Sequence, residues 1–112
     1  MNQRPTGLSA TKAITGFLQY KSAEGLAPVT VSGYERDLNL WIEYQGDMNV
    51  AKVETHHILS YLNYLRIDYV PRRITGNNSR KLAPKTVYNI YVSLASFFTW
   101  ASREFNLDNP LK

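Results

Sequence analysis

The hexapeptide Leu26-Ala27-Pro28-Val29-Thr30-Val31 returns with one substitution as Leu82-Ala83-Pro84-Lys85-Thr86-Val87, 56 residues further along the chain. Each copy predicts the start of a helix, because proline at the first helical position loses no hydrogen bond and already has a helical φ angle. The correspondence extends into the helices, where Leu38 matches Leu94. Two helices with similar starts and similar apolar stripes are therefore predicted.

The spacing of apolar residues outside these two copies predicts further helices and no strands. Capping and terminating residues give four helical ranges: Ser9 or Thr11 to about Ala23, Pro28 to Gly46, Thr55 to Pro71, and about Pro84 to Glu104. The fourth range is the most apolar and is expected to form the centre of the core. The predicted fold is an all-α protein, with four helices in one compact bundle.

The composition is that of a soluble globular domain. The chain has 112 residues, of which 44% are hydrophobic and 20% charged, and this length can bury a core without disulfides. Cysteine is absent, which excludes disulfides and thiolate metal sites. We find no secretory signal and no apolar segment of membrane-spanning length. We therefore expect a cytoplasmic protein that does not associate with a membrane.

The excess positive charge is concentrated in one segment. Five of the 13 lysines and arginines lie between Val70 and Val87, where there is no aspartate or glutamate, and the remaining eight are fewer than the 9 acidic residues. The five are Arg72, Arg73, Arg80, Lys81 and Lys85. A basic cluster of this kind is typical of a surface that binds a polyanion, although a solvated loop is the simpler alternative.

The polar faces of the two related helices suggest what that polyanion is. Amide, guanidinium and ammonium groups reach base edges and phosphates, while small residues between them let a helix approach closely. The second helix presents Thr30, Ser32, Gly33, Arg36 and Asn39, and the fourth presents Lys85, Thr86, Asn89, Ser93 and Ser96. The fourth helix follows the basic cluster directly, which favours nucleic acid as the ligand.

Catalytic and metal sites are not predicted. His56 and His57 are adjacent, and neighbouring helical positions point about 100° apart, so the two cannot chelate one metal together. The sequence has no nucleophile motif and no glycine-rich phosphate loop. We therefore predict no catalytic residue, no metal and no cofactor in this chain.

The stretch from Gly25 to Leu38, with Thr30, Tyr34 and Asp37-Leu38 at their intervals, resembles the second helix of the core-binding domain of tyrosine recombinases, the phage-integrase family. The stretch from Leu82 to Ala101 is similar to the fourth helix of that domain. Asn109-Pro110 is similar to the junction that precedes the catalytic domain. The resemblance covers nearly all of the chain from Ser9 to Pro110.

This resemblance implies an orthogonal, SAM-like four-helix bundle that holds one face of a DNA duplex, with helices two and four at the major groove. It implies a flexible lead-in over residues 1–8, a core-binding domain over 9–108, and at 109–112 the start of a linker to a catalytic domain that is absent here. The expected partners are double-stranded DNA, the chain's own catalytic domain and other recombinase protomers. None of the eight tyrosines is assigned as a nucleophile.

One departure from the family pattern concerns the phosphate contacts. The family often has arginine where this chain has Asn89 and Ser96, so these contacts are expected to be weaker or to come from Arg80, Lys81 and Lys85.

The alternative function is a helical protein–protein interaction module. Its anchors would be the tyrosines Tyr20, Tyr44, Tyr64 and Tyr88.

Overall fold

The computed structural model describes residues 8–71 and 81–111, and these ranges fold as a bundle of four α-helices. The elements are α1 (Ala10–Ala23), α2 (Pro28–Gln45), a 3-10 turn (Val50–Lys52), α3 (Thr55–Ile67) and α4 (Pro84–Glu104). The described ranges contain no strand, and their only β-type pairing is an isolated bridge between Ser9 and Asn49. The prediction of an all-α, four-helix bundle is confirmed.

Helix α4 is the centre of the core and contacts all three other helices. Its buried apolar residues are Val87, Ile90, Leu94, Phe97, Phe98 and Ala101. Phe97 meets Phe17 of α1 edge to face at 5.6 Å, and Phe98 meets Trp41 of α2 in the same way at 5.6 Å. Such aromatic pairs stabilise a core beyond the area that they bury. No helix in the described ranges is long and apolar enough to cross a membrane.

The beginning of α1 is bonded to the connection between α2 and α3. Ser9 caps the helix, because its hydroxyl accepts the Lys12 N–H at 3.1 Å. Backbone hydrogen bonds join Ala10 N to Met48 O at 2.8 Å and Val50 N to Leu8 O at 3.1 Å. Of the two predicted caps, Ser9 is therefore the one that acts, and the packed chain already includes Leu8.

Helix α3 differs from its prediction at both ends. Glu54, not Thr55, is the N-cap, and its backbone N–H donates to His57 Nδ1 at 2.8 Å. The predicted terminator Pro71 is also wrong, since α3 already ends at Ile67. The amides of the two residues after Ile67 both bond to the Tyr64 carbonyl, which closes the last turn before any proline is reached.

The hydroxyl of Thr55 has a different partner. It donates to the carbonyl of Pro110 at 2.6 Å, across 55 residues of chain. Pro110 is buried and Leu111 packs partly against the core. Packing against the bundle therefore continues to Leu111.

Candidate nucleic-acid interface

The two Leu-Ala-Pro segments form helix starts with the same geometry. Ala27 and Ala83 are the N-caps, with φ and ψ angles of −60° and 143° for Ala27 and −67° and 149° for Ala83. Proline follows in each copy as the first helical residue, and neither cap alanine offers a side-chain hydrogen bond to the helix. The prediction of two helix starts built alike is therefore confirmed.

An open groove of about 610 Å³ lies between α2 and α4. Its polar lining on the two helices comes from Arg36, Asp37, Asn39, Glu43, Thr86 and Asn89. Its apolar lining comes from Leu40, Tyr69, Pro71, Leu82 and Ile90. The groove thus brings together four residues of the two predicted polar faces, Arg36, Asn39, Thr86 and Asn89, from two separate stretches of sequence.

Arg36 lies at the surface of this groove, with 76% of its side chain exposed. Its Nε donates to Asp37 Oδ1 at 3.3 Å. A Cβ atom placed on Gly33 would lie 3.8 Å from Arg36 Nη2, so the guanidinium extends along α2 toward Gly33. Thr30 and Ser32 are exposed on the same part of the helix. The predicted stripe of α2 is thus accessible along its length.

Ser93 does not belong to the exposed stripe of α4, and this part of the prediction is wrong. Only 7% of the residue is exposed. Its hydroxyl donates to Asp37 Oδ2 at 2.7 Å across the α2–α4 interface. A serine on this side of α4 faces the neighbouring helix, because α2 crosses α4 at this level. Its hydroxyl therefore has a structural partner inside the protein.

Ser96 is half-buried and lies away from the groove. It lines a cleft between α1 and α4 together with Tyr20 and Trp100. The prediction placed Ser96 in one stripe with Asn89, which is seven residues earlier on the same helix. The structure instead separates the two residues onto different clefts.

The part of the basic cluster that the structure describes lies at the start of α4. Lys81, Lys85 and Thr86 are exposed, and the ammonium group of Lys81 is 3.4 Å from the carbonyl of Asp68 at the end of α3. A lysine at this point stabilises the negative end of the α3 dipole. Arg72, Arg73 and Arg80, which were also predicted to contact DNA, lie outside the described residues.

Sequence reasoning did not assign Tyr69 or Glu43 to the site, and both line the groove. Tyr69 lies within the range predicted for the third helix, Thr55 to Pro71, but the helix ends two residues earlier. The signal that could have found Glu43 was its spacing of seven residues from Arg36, which places both residues on one face of a helix.

The histidine pair forms no metal site in the described part of the chain. His57 is engaged by the Glu54 N–H, and His56 Nε2 lies 3.2 Å from a carboxylate oxygen of Glu54. The described residues contain no group of three His, Cys, Asp or Glu side chains able to hold a metal ion. Both histidines therefore interact with Glu54 at the start of α3.

Comparison with known protein families gives a match to the family described as phage integrase, N-terminal SAM-like domain. The match extends over residues 14–105, which is most of the chain. The chain belongs to this family. The integrase resemblance predicted from the two Leu-Ala-Pro helices is therefore confirmed, as is the SAM-like fold. No curated protein and no solved structure matches the chain.

Membership of this integrase family gives the chain a role in site-specific recombination. The N-terminal SAM-like domain of the family is not its catalytic part. The matched range includes both helices that line the groove, together with Lys81 and Lys85.

Proposed function

We propose that this integrase domain binds double-stranded DNA in a sequence-specific manner through the groove between α2 and α4. The observation that carries the proposal is the convergence of Arg36, Thr86 and Asn89 on one groove, with Lys81 and Lys85 exposed near its α4 end. Guanidinium, hydroxyl and amide groups are suited to base edges, and lysines to phosphates. The predicted contacts Arg72, Arg73 and Arg80 are included as phosphate ligands, and the exposed Thr30 and Ser32 and the small Gly33 as the surface by which α2 approaches DNA.

The proposal assigns the domain to one half of a clamp, whose other half is a catalytic domain that follows in the full-length integrase. Residues 9–108 are the proposed binding unit, and 109–112 lead toward that second domain. Other integrase protomers on the same DNA are the further proposed partners, and the location is cytoplasmic. Binding by this half alone is expected to be weak, because a linked second domain raises the effective concentration.

Lysine charge reversal tests this proposal. The double variant Lys81→Glu/Lys85→Glu should lose most of its affinity for a duplex, and its far-ultraviolet circular dichroism should stay unchanged. The matched control is Lys12→Glu/Lys52→Glu, which makes the same change in net charge at exposed positions in α1 and in the 3-10 turn, not at the start of α4. The proposal fails if both double variants lose equal affinity, or if neither loses any.

The salt dependence of the wild type supplies a second measurement. For each phosphate that the protein neutralises, log K should fall by about 0.9 per unit of log salt concentration. A protein–protein module would show no duplex binding and a partner insensitive to salt. Exposed aromatics such as Tyr88, at 62% exposure, are the anchors that this alternative would use.

A further inference from the structure

Asp37 and Ser93 are the two buried polar residues of the described chain. Both carboxylate oxygens of Asp37 have partners, since Oδ2 accepts the Ser93 hydroxyl at 2.7 Å and Oδ1 accepts Arg36 Nε at 3.3 Å. The Asp37 side chain is only 9% exposed, while that of its partner Arg36 is 76% exposed. The carboxylate therefore connects the interior of the bundle to the surface of the groove.

The packing of the helices fixes the direction of this carboxylate. Ser93 belongs to α4 and Asp37 to α2, so the hydrogen bond between them holds Oδ2 in place as long as the two helices are packed. With Oδ2 held, the plane of the carboxylate is fixed, and Oδ1 is placed where it accepts Arg36 Nε. Arg36 meets it through Nε, which orients the whole planar guanidinium.

The use of Nε decides which donors of Arg36 remain available. The two terminal nitrogens, Nη1 and Nη2, lie at the far end of the plane from Cδ and carry the N–H groups that Asp37 does not occupy. An end-on pair of parallel donors matches the O6 and N7 acceptors of guanine in the major groove. Gly33 has no side chain to obstruct Nη2, which lies 3.8 Å from where a Cβ would be.

The charges along the groove indicate that Arg36 contributes oriented hydrogen bonds more than electrostatic attraction to DNA. Among the charged side chains lining the groove, Arg36 is balanced by Asp37, and Glu43 adds a further negative charge. Long-range attraction to phosphates is therefore provided by Lys81 and Lys85 outside the groove. A guanidinium that is already neutralised contributes most through the geometry of its hydrogen bonds.

We propose that Asp37, held by Ser93, is a positioning residue that presents the end of the Arg36 guanidinium to a guanine edge and so sets the sequence preference of the groove. This inference rests on the proposed DNA binding. It adds to that proposal the base that is recognised, the pair of Arg36 N–H groups that would recognise it, and Asp37 as a residue that acts through Arg36.

The test selects binding sites from a pool of duplexes carrying 12 randomised base pairs. The wild type should enrich a motif with a guanine preferred about tenfold over other bases. Arg36→Ala and Arg36→Lys should both lose this preference, because a lysine keeps the charge without the paired donors. Asp37→Asn should weaken it severalfold, and Ser93→Ala should weaken it without altering any charge.

A double variant separates positioning from other effects of Asp37. When Arg36 is already alanine, Asp37→Asn should not change the recovered motif any further. In both the wild type and the Arg36→Ala variant, Asp37→Asn should not lower the affinity for duplexes of arbitrary sequence. The inference is overturned if Asp37→Asn and Ser93→Ala both keep the full guanine preference. It is also overturned if they lose affinity equally for every sequence, as a folding defect would produce.

The outcome for DNA binding itself is read from the same experiment. If the wild type retains no duplex from the pool even at low salt, the proposed function fails and the positioning inference fails with it. If the wild type binds and enriches a motif whose bases do not depend on Arg36, DNA binding stands and only the inference is overturned. Urea unfolding of each variant shows whether it is folded. If Asp37→Asn does not fold, a folded Ser93→Ala variant still tests the inference.

Discussion

Asp37 and Ser93 occupy corresponding positions in the two Leu-Ala-Pro helices, 56 residues apart, and the Ser93 hydroxyl donates to the Asp37 carboxylate at 2.7 Å. The two copies of the repeat thus pack against each other at equivalent positions, unlike the units of a stacked repeat protein. Each helix starts with the same turn, and the two meet at positions equally far from their starts. The meeting point is polar, buried, and next to the proposed DNA contact Arg36.

Removing the Ser93 hydroxyl should destabilise the bundle. Ser93→Ala leaves Asp37 Oδ2 buried without this donor, and a hydrogen bond to a charged group contributes about 1.5–3 kcal/mol. The free energy of unfolding measured in urea should fall by about that amount, with an unchanged denaturant slope. The matched control is Ser102→Ala on the same helix, whose hydroxyl bonds, among the described residues, to the Thr99 carbonyl of its own helix. Equal midpoints for the two variants would contradict the prediction.

Replacing Tyr61 with phenylalanine should leave the bundle as stable as the wild type at neutral pH, or more stable. The Tyr61 hydroxyl is buried and has no hydrogen-bond partner among the described residues. Removing an unpaired buried polar group relieves its desolvation cost. A loss of more than about 1 kcal/mol in urea unfolding, a typical value for one hydrogen bond, would show that the hydroxyl has a partner.

The same variant should change the response to alkaline pH. Burial, and next the negative charge of Asp37, raise the pKa of Tyr61 far above its ordinary value. Above about pH 10 the unfolded chain loses this proton while the folded chain keeps it, so stability falls as pH rises, by up to about 1.4 kcal/mol per pH unit. Tyr61→Phe should remove that component from the unfolding profile. Tyr20→Phe, which alters an exposed tyrosine, controls for the substitution.

Gly33→Ala should separate stability from DNA binding. Alanine is preferred over glycine inside a helix by about 1 kcal/mol, and the added Cβ meets only Arg36 Nη2, at 3.8 Å. The free energy of unfolding should therefore rise by about 0.5–1 kcal/mol. Duplex affinity should fall, because the new methyl group occupies the surface by which α2 is proposed to approach DNA. A variant that is more stable and binds equally well would exclude Gly33 from the interface.

The contrasting substitution lies just past the other end of α2. Gly46 has φ +84° and ψ 168°, a conformation that is almost restricted to glycine. Gly46→Ala should therefore cost about 1–3 kcal/mol of stability. The opposite signs at Gly33 and Gly46 would exclude a general effect of replacing glycine.

Thr55→Val should loosen the end of the described chain. The substitution removes the donor to the Pro110 carbonyl, which is bonded at 2.6 Å, and should cost about 1 kcal/mol in urea unfolding. Hydrogen exchange at the Leu111 amide, which donates to Asn109 Oδ1, should become faster. The matched control is Thr15→Val, since the exposed hydroxyl of Thr15 bonds, in the described part of the chain, to the Thr11 carbonyl of its own helix. Unchanged exchange at Leu111 would contradict the prediction.

Local chemistry explains which helix ends could be predicted from the sequence. The starts at Pro28 and Pro84 and the stop at Gly46 follow from the backbone preferences of proline and glycine, which act within a single turn. The start of α3 could not be predicted in this way. Thr55 is a good cap by type, but its hydroxyl is directed to Pro110, 55 residues away.

The site was predictable to the level of helical faces and no further. Periodicity places Arg36 on one polar face of α2 and Asn89 on one of α4. It does not give the angle at which the two helices cross, and that angle puts Ser93 inside the interface and Ser96 beside α1. The apolar part of the groove depends in addition on where α3 stops, which brings Tyr69 to the site.

The backbone bonds between Leu8 and Val50 and between Ala10 and Met48 have a consequence for unfolding. They close the stretch containing α1 and α2 into a ring whose ends are joined by hydrogen bonds. These bonds keep the two helices close to each other while the ring is closed, so we expect the two to unfold together as one cooperative unit. Amide protons along α1 and α2 are then expected to share a single opening free energy, with the amides of Ala10 and Val50 reporting when the ring opens.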